Sequence, residues 1–298
     1  MSDTVSIVVL MKNAAGYLDD LVKALADQKG CGETELVVVD SGSTDGSVSR
    51  ISSLCRESQL ELNLSSVEPR DFGHGKTRNS AVRNARGEIV ALLSQDALPA
   101  SESWLANLIG PLGHDGVAGV FGRQVPRPGT GLCETLFYDM TYPAQHRRIT
   151  REDASSFSNQ NLFFSNVNSA LRKSLALEFP FREDLVMSED QFWGRAMLQQ
   201  GYALVYEPDA MVIHSHNYSF RQLFKRYFQS GYSLRQMEMQ GEIMRGGART
   251  TLMLLKQVLF ECPWRLPYAI SYEAVQGGAF LCGKYDLLHA QLRESLLK

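Results

Sequence analysis

An α/β fold built on a mainly parallel sheet with helices on its faces follows from three features of this sequence. Apolar runs of strand length recur through the first half, stretches of helical period separate them, and two of the runs lead into an aspartate. Strands alternating with helices imply a parallel sheet covered on both faces. Such sheets bind ligands beyond the carboxyl ends of their strands, and Asp40 and Asp96 stand at two of those ends.

The elements read in order as follows. Val5 to Met11 is an apolar run of strand length, and Leu18, Leu21, Val22 and Leu25 follow at helical spacing. Leu36 to Val39 is a Val-rich run ending in Asp40, and Val48, Ile51, Leu54 and Cys55 form the next helical stripe. Leu60, Leu62 and Leu64 alternate with polar residues, as in a half-exposed strand. Asn79 to Ala85 reads as helix and Glu88 to Leu93 as a buried strand leading to Ser94, Gln95 and Asp96. Ser101 is placed to cap a helix carrying Trp104, Leu105, Leu108 and Ile109, and Val117 to Phe121 is another short strand. Residues 123 to 160 read as a long loop holding one aromatic helix around Phe137 to Tyr142, and Asn166 to Arg172 as a strand. Glu189 to Gln200 reads as helix, and Leu204 to Tyr206 and Met211 to Ile213 as two short strands. Phe220 to Met239 and Thr250 to Phe260 are amphipathic helices, with a further helical segment after Pro263 and Pro267.

The bulk composition narrows the function. The chain has 298 residues, 44% hydrophobic and 21% charged, as in an ordinary globular protein. A net charge of −3 gives no basic field for nucleic acid. Five cysteines without a Cys-x-x-Cys pair suggest neither a disulfide framework nor a zinc site, so buried thiols in a reducing compartment are expected. The opening residues carry no basic region, so no signal peptide is expected. The best apolar run, Leu252 to Phe260, is interrupted by Lys256 and far shorter than the roughly 18 residues a membrane span needs.

Five segments can carry chemistry. In Asp40-Ser41-Gly42-Ser43-Thr44-Asp45-Gly46, a strand-end carboxylate can accept hydrogen bonds from a nucleobase or a ribose, or the turn can simply start a helix with Asp45 as its cap. Phe72 to Asn79 places His74, Lys76 and Arg78 with two glycines at a helix start, where anions are favoured; a solvated helix start has the same composition. Asp96 can hold a divalent cation through oxygen, or cap the next turn. Glu189 and Asp190 open a helix, as partners of its dipole or as a general base. His214 and His216 follow an apolar strand and would share one face if the strand continued, where one could join Asp96 on a metal.

The order of these segments is more specific than any one of them. Over roughly residues 5 to 235 the chain resembles the family 2 glycosyltransferases of the GT-A fold. The wording is similar to that of bacterial rhamnosyltransferases at Phe72 to Asn79, at Ser94-Gln95-Asp96-Ala97, at Gly122-Arg123-Gln124-Val125-Pro126, at Phe164 to Asn168, at Glu189-Asp190-Gln191 and at Ile213 to His216. The resemblance implies that Asp40 and Arg78 contact the base of a nucleotide sugar, with Lys76 and Gln95 also on the donor. It implies that Asp96 holds Mg²⁺ or Mn²⁺ on the diphosphate with help from His214 or His216. Asp190 would be the catalytic base ahead of Glu189. The expected activity is inverting transfer of one sugar, L-rhamnose from dTDP-L-rhamnose, to a growing lipid-linked surface glycan at the inner face of the cytoplasmic membrane. The expected organisation is a catalytic domain over 1–218, its donor part about 1–122 and acceptor part about 123–218, and a helical extension over 219–298.

One departure stands out: many family members have an acid where this chain has the neutral Gln95. The Gln-x-x-Arg-Trp motif of processive synthases is missing, which favours single transfer. A dinucleotide-dependent oxidoreductase would need a glycine-rich turn after the first strand, where Lys12-Asn13-Ala14-Ala15-Gly16 stands instead. A sugar-phosphate nucleotidyltransferase would need a glycine-rich basic loop at the same place. The non-enzymatic rival is a glycan-binding protein on the same fold. Aromatic and cationic residues from Phe220 onward, among them Phe224, Tyr227, Phe228, Trp264, Tyr268 and Tyr272, suit a membrane surface, a homodimer interface or an internal core.

Overall fold

The computed structural model describes residues 4–154, 164–236 and 242–297. The first half runs β1 (Val5–Met11), α1 (Leu18–Ala26), β2 (Thr34–Asp40), α2 (Ser47–Glu57), β3 (Glu61–Ser66), α3 (His74–Asn84), β4 (Ile89–Ser94), the short β5 (Leu98–Pro99), α4 (Trp104–Ile109) and β6 (Val117–Val125). Then come α5 (Leu132–Thr141), β7 (Arg147–Ile149), α6 (Arg151–Ala154), β8 (Asn168–Arg172), α7 (Lys173–Glu178), α8 (Glu189–Gln199) and β9 (Ala203–Ile213). Among the described residues, the chain ends in α9 (Phe220–Gln236), α10 (Glu242–Glu261), α11 (Leu266–Tyr285) and α12 (Ala290–Leu297).

The strands form a nine-stranded sheet in the order β3-β2-β1-β4-β8-β6-β9-β5, with β7 also on β9. β3, β2, β1, β4, β6 and β9 point one way, while β8, β5 and β7 run against them. The register brings the ends level: Met11 lies opposite Asp40, Leu10 opposite Ser94, and Val125 opposite Ile213. Because β8 is antiparallel, the residues entering it, 165–167, lie at the edge where its parallel neighbours finish. One rim therefore gathers the segments after β1, β2, β4, β6 and β9.

Side chains alternate across each strand, and the buried ones divide accordingly. Val5, Ile7 and Val9 pack with Leu18, Leu21, Ile51, Trp104 and Leu105 on one face. Val8 packs with Ala81, Val82, Trp193 and Met197 on the other. A third core joins Cys133 and Leu136 of α5 to Leu223, Leu254, Val258 and Ala269 of the closing helices. α9 and α11 meet backbone to backbone, for a Cβ on Gly231 would lie 2.1 Å from Phe280 O and one on Gly283 2.1 Å from Phe228 O.

Several boundaries differ from the sequence reading. The two short strands expected at 204–206 and 211–213 are one strand, β9: its ladder to β6 jumps from Gly122–Glu207 to Gln124–Val212, which absorbs Pro208 without ending the strand. α3 begins at His74, five residues before Asn79, because glycines at 73 and 75 hid its first turn. α4 has Ser103 at its N-cap position, and Ser101 lies before it, its Oγ 3.2 Å from Ser103 Oγ. The stretch expected as a long loop over 123–160 also holds the end of β6, β7 and α6, and its residues 155–160 lie outside the described residues, as does the expected extension of α9 to Met239. Phe228 and Tyr272 are buried, so much of the aromatic stripe on α9 and α11 is core. All five cysteines are free thiols, but Cys262 and Cys282 are only half-buried.

Candidate active site

Asp40 ends β2 and is 5% exposed. Its Oδ2 accepts hydrogen bonds from the Gly42 and Ser43 N–H groups, each at 3.0 Å, and its Oδ1 accepts from the Ser43 hydroxyl. The turn is zipped to the segment after β1: Asn13 N–H donates to Ser43 Oγ at 2.8 Å, and Thr44 N–H donates to Asn13 Oδ1 at 2.9 Å. Asp45 accepts from Ala15 N–H and from Ser47 N–H, so it joins the two loops, while the N-cap position of α2 is held by Gly46 rather than Asp45. Gln95 continues the zip. Its Oε1 accepts from Lys12 N–H at 2.7 Å and its Nε2 donates to Lys12 O at 3.0 Å. An acid at this position could make only the first of these bonds.

Asp96 follows, its side chain 15% exposed. His214 Nε2 lies 3.6 Å from one of its carboxylate oxygens and His216 Nε2 3.7 Å from the other. These separations exceed hydrogen-bond length, and the three donor atoms lie within 4.8 Å of one another. The histidines do not share a strand face, since β9 ends at Ile213. The segment is held by other bonds: Val125 O accepts from His214 N–H at 2.9 Å, and Ser215 Oγ accepts from Arg127 N–H at 3.0 Å. The Arg127 guanidinium also donates to Asp96 O. Burial pushes His214 down to about 3 and lowers His216, with the Asp96 charge opposing both shifts. Neutral imidazoles are the form that ligates metal. Carboxylate and neutral imidazole are both ordinary ligands of divalent metals. The residues fit a divalent ion.

Gln124 Oε1 lies 3.0 Å from His214 Nδ1 and accepts a hydrogen bond from its N–H. That assignment follows because Gln124 Nε2 is committed to the Tyr142 and Ser165 hydroxyls. The Tyr138 hydroxyl of α5 is 3.1 Å from the same Nδ1. This fixes the tautomer that turns an unprotonated Nε2 towards Asp96. Gln124→Leu should weaken Mn²⁺ binding about 10–100-fold. Calorimetric Mn²⁺ titration checks it, and an unchanged affinity would leave Gln124 without that role.

The acidic pair stands on the other side of Ser165. Ser188 adopts a left-handed conformation with φ 66°, after which Glu189 and Asp190 open α8. Asp190 Oδ2 accepts from Asn166 N–H at 3.0 Å and Oδ1 from Gln191 N–H at 2.8 Å. Desolvation first, then the Glu189 charge, pushes its carboxyl up to about 6, even though the residue keeps some exposure. Glu189 is buried in an ion pair with Arg78 of α3. α3 is docked there by Asn79, whose Nδ2 donates to Phe181 O at 2.8 Å and whose Oδ1 accepts from Phe181 N–H at 2.9 Å. The contact is close: a Cβ on Gly75 would lie 2.0 Å from Arg182 O.

Adjacent residues and contacts thus link most sequence-predicted positions: Asp40 through Ser43, Asn13 and Lys12 to Gln95, then Asp96, His214, Gln124, Ser165, Asn166, Asp190, Glu189 and Arg78. Lys76 is exposed on α3, and among the described residues no hydrogen bond or ion pair joins it to this series. Arg78 is engaged with Glu189 beside the acidic pair. Gln124, Tyr138 and Arg127 were not singled out from sequence. Gln124 could have been, since it lies in Gly-Arg-Gln-x-Pro, while Tyr138 carried no signal beyond an aromatic helix.

The family model described as "Glycosyl transferase family 2" matches residues 6–178. The chain is 30% identical over 229 residues to the O-antigen chain rhamnosyltransferase RfbN of Salmonella typhimurium, covering 76% of this chain and 71% of that protein. It is 31% identical over 200 residues to the O-antigen chain rhamnosyltransferase WbaN of Salmonella anatum, covering 66% of this chain and 62% of that protein. Among solved structures, the mannosyltransferase PcManGT of Pyrobaculum calidifontis, in complex with GDP-Man and Mn²⁺, superposes with a TM-score of 0.62 at 22% identity, covering 98% of this chain and 84% of that one.

Proposed function

This chain belongs to glycosyl transferase family 2, and from that membership we propose that it transfers a single L-rhamnosyl unit from dTDP-L-rhamnose to a growing, lipid-linked surface glycan on the cytoplasmic side of the membrane. The observation that carries the reading is the pairing, across Ser165 and Asn166, of a metal-competent group with a carboxylate whose pKa is raised to about 6. The sugar and the acceptor class rest on the resemblance to rhamnosyltransferases and on the names of the two Salmonella relatives.

In this reading Asp190 takes the proton of the acceptor hydroxyl. The oxygen forms its bond to the anomeric carbon from one face as the bond to the diphosphate breaks on the other, inverting the centre. Asn166 N–H and Gln191 N–H hold both carboxylate oxygens of Asp190 in place. Arg78 engages Glu189 in an ion pair, which leaves Asp190 to act as the base. Asp96, His214 and His216 would hold Mg²⁺ or Mn²⁺, which supplies Lewis-acid stabilisation of the leaving nucleoside diphosphate. Asp40 shapes the turn that receives the base, and Lys76 adds positive charge on the donor side. Gln95 acts through the Lys12 backbone, which it holds in two directions.

A donor screen with purified protein tests the reading. We expect turnover or slow hydrolysis of dTDP-L-rhamnose in preference to UDP- and GDP-sugars. Asp40→Ala should weaken dTDP binding about tenfold, on the order of one lost charge-assisted hydrogen bond. Preference for another nucleotide would overturn the donor assignment, and unchanged dTDP affinity in Asp40→Ala would move the base pocket elsewhere.

A further inference from the structure

α10 has one apolar face inside the protein and another outside. Leu254 and Val258 are buried in the core shared with α5 and α11. On the opposite side, Arg249, Leu252, Met253, Lys256, Leu259 and Phe260 are exposed. At 100° per residue they fall within an arc of about 120°. The face continues past the helix end: Phe260 is 75% exposed and Trp264, in the turn before α11, is 74% exposed. Tyr268 extends it to Phe220, whose ring centroid lies 5.9 Å away. Phe220 follows His216 by four residues, so the apolar surface reaches the neighbourhood of the candidate metal ligands. Single exposed apolar residues are ordinary, but a contiguous band of them marks an interaction surface.

The charges indicate the occupant. Among the described residues, Arg249, Lys256 and Arg265 are exposed in and around this band, against one anion, Glu261. In a two-fold dimer built on this face, the patch would meet its own copy, bringing cations against cations. An anionic lipid surface complements them instead. Exposed leucine, phenylalanine and tryptophan beside lysine and arginine also match the composition of helices that lie in a bilayer interface. No helix among the described residues is long and apolar enough to cross a membrane, which agrees with a surface-lying mode.

We propose that the outer face of α10, with Trp264 and Tyr268, docks the protein on anionic membrane, holding the catalytic rim towards a lipid-borne acceptor. Binding is readable without any transfer assay, so this proposal and the donor assignment can fail separately.

The test is flotation of the full chain with phosphatidylcholine vesicles, with and without phosphatidylglycerol. The protein should float with the anionic vesicles, weakly or not at all with the neutral ones, and less as salt rises. Lys256→Ser with Arg249→Ser should lower binding about tenfold or more. Leu252→Ser with Phe260→Ser and Trp264→Ser should abolish it, with circular dichroism and dTDP affinity unchanged. Light scattering should find a monomer without vesicles. A dimer that the triple variant dissociates would reassign the face to a second copy. A folded wild-type protein that ignores anionic vesicles, or variants that float equally well, would overturn the proposal.

Discussion

Asp190→Asn is expected to lower the transfer rate about 10²–10⁴-fold, the range lost with a general base, while dTDP affinity stays within about twofold. Both oxygens of Asp190 accept backbone N–H bonds from Asn166 and Gln191. An amide keeps one of these at most, so some repositioning is expected, but the turn at Asp40, where we propose the base binds, is tied to different partners. pH gives a second readout. With the carboxyl at about 6, kcat/KM should rise with pH to a plateau above that value, because only the ionised form accepts a proton. Stability moves the other way. The folded state holds this proton more tightly than the unfolded chain, so the contribution of Asp190 is complete below the usual carboxylate range and is lost as pH rises through about 6. At neutral pH Asp190→Asn should therefore unfold no earlier than wild type, which separates a lost base from a damaged fold. Rate measurement with a lipid-linked acceptor and thermal unfolding across pH check the two halves. Activity within a few-fold of wild type would remove Asp190 from the role.

The first half of the fold was readable because β1, β2 and β4 are mostly apolar and buried on both sides, β3 alternates as a half-exposed strand does, and the helices show one apolar stripe. Val5 to Met11 matches β1 at both ends for that reason. Legibility ended where tertiary contacts decide. β8 runs against β4, yet its sequence looks like that of a parallel strand, since both kinds are equally buried at the centre of a sheet. Leu204 to Tyr206 and Met211 to Ile213 read as two strands, but β9 runs through both, with a register jump around Pro208. The site divides similarly. Asp40, Asp96 and Asp190 were visible because a carboxylate after an apolar run or at a helix start is a local pattern. The Arg78–Glu189 pair spans 111 residues of chain and Gln124 meets His214 across 90. No local pattern reports such a meeting. Gln95 was read as a donor contact and as a neutral departure from the family's acid. Its two bonds to Lys12 give the amide a use that an acid would only half fill.

Asp96→Ala is expected to remove the metal dependence of donor binding and to reduce transfer by about 10²–10³-fold, in line with the several kcal/mol attributed to a Lewis acid at a leaving group. The size of the effect follows from what surrounds Asp96. The three groups that converge are one carboxylate and two imidazoles that burial keeps neutral, so Asp96 supplies the negative charge of this set. Gln95 is neutral and bound to the Lys12 backbone. Asp96→Asn keeps an oxygen but not the charge and should fall between wild type and Asp96→Ala. His216→Ala should lose less than His214→Ala. His216 is half-exposed and water can take its place, whereas His214 is buried and held through Nδ1 by Gln124. Titrating dTDP with and without Mn²⁺ across these variants measures the order directly. Wild-type affinity that ignores Mn²⁺, or an Asp96→Ala protein that still responds to it, would take Asp96 out of the metal site and leave the two histidines as a purely structural latch.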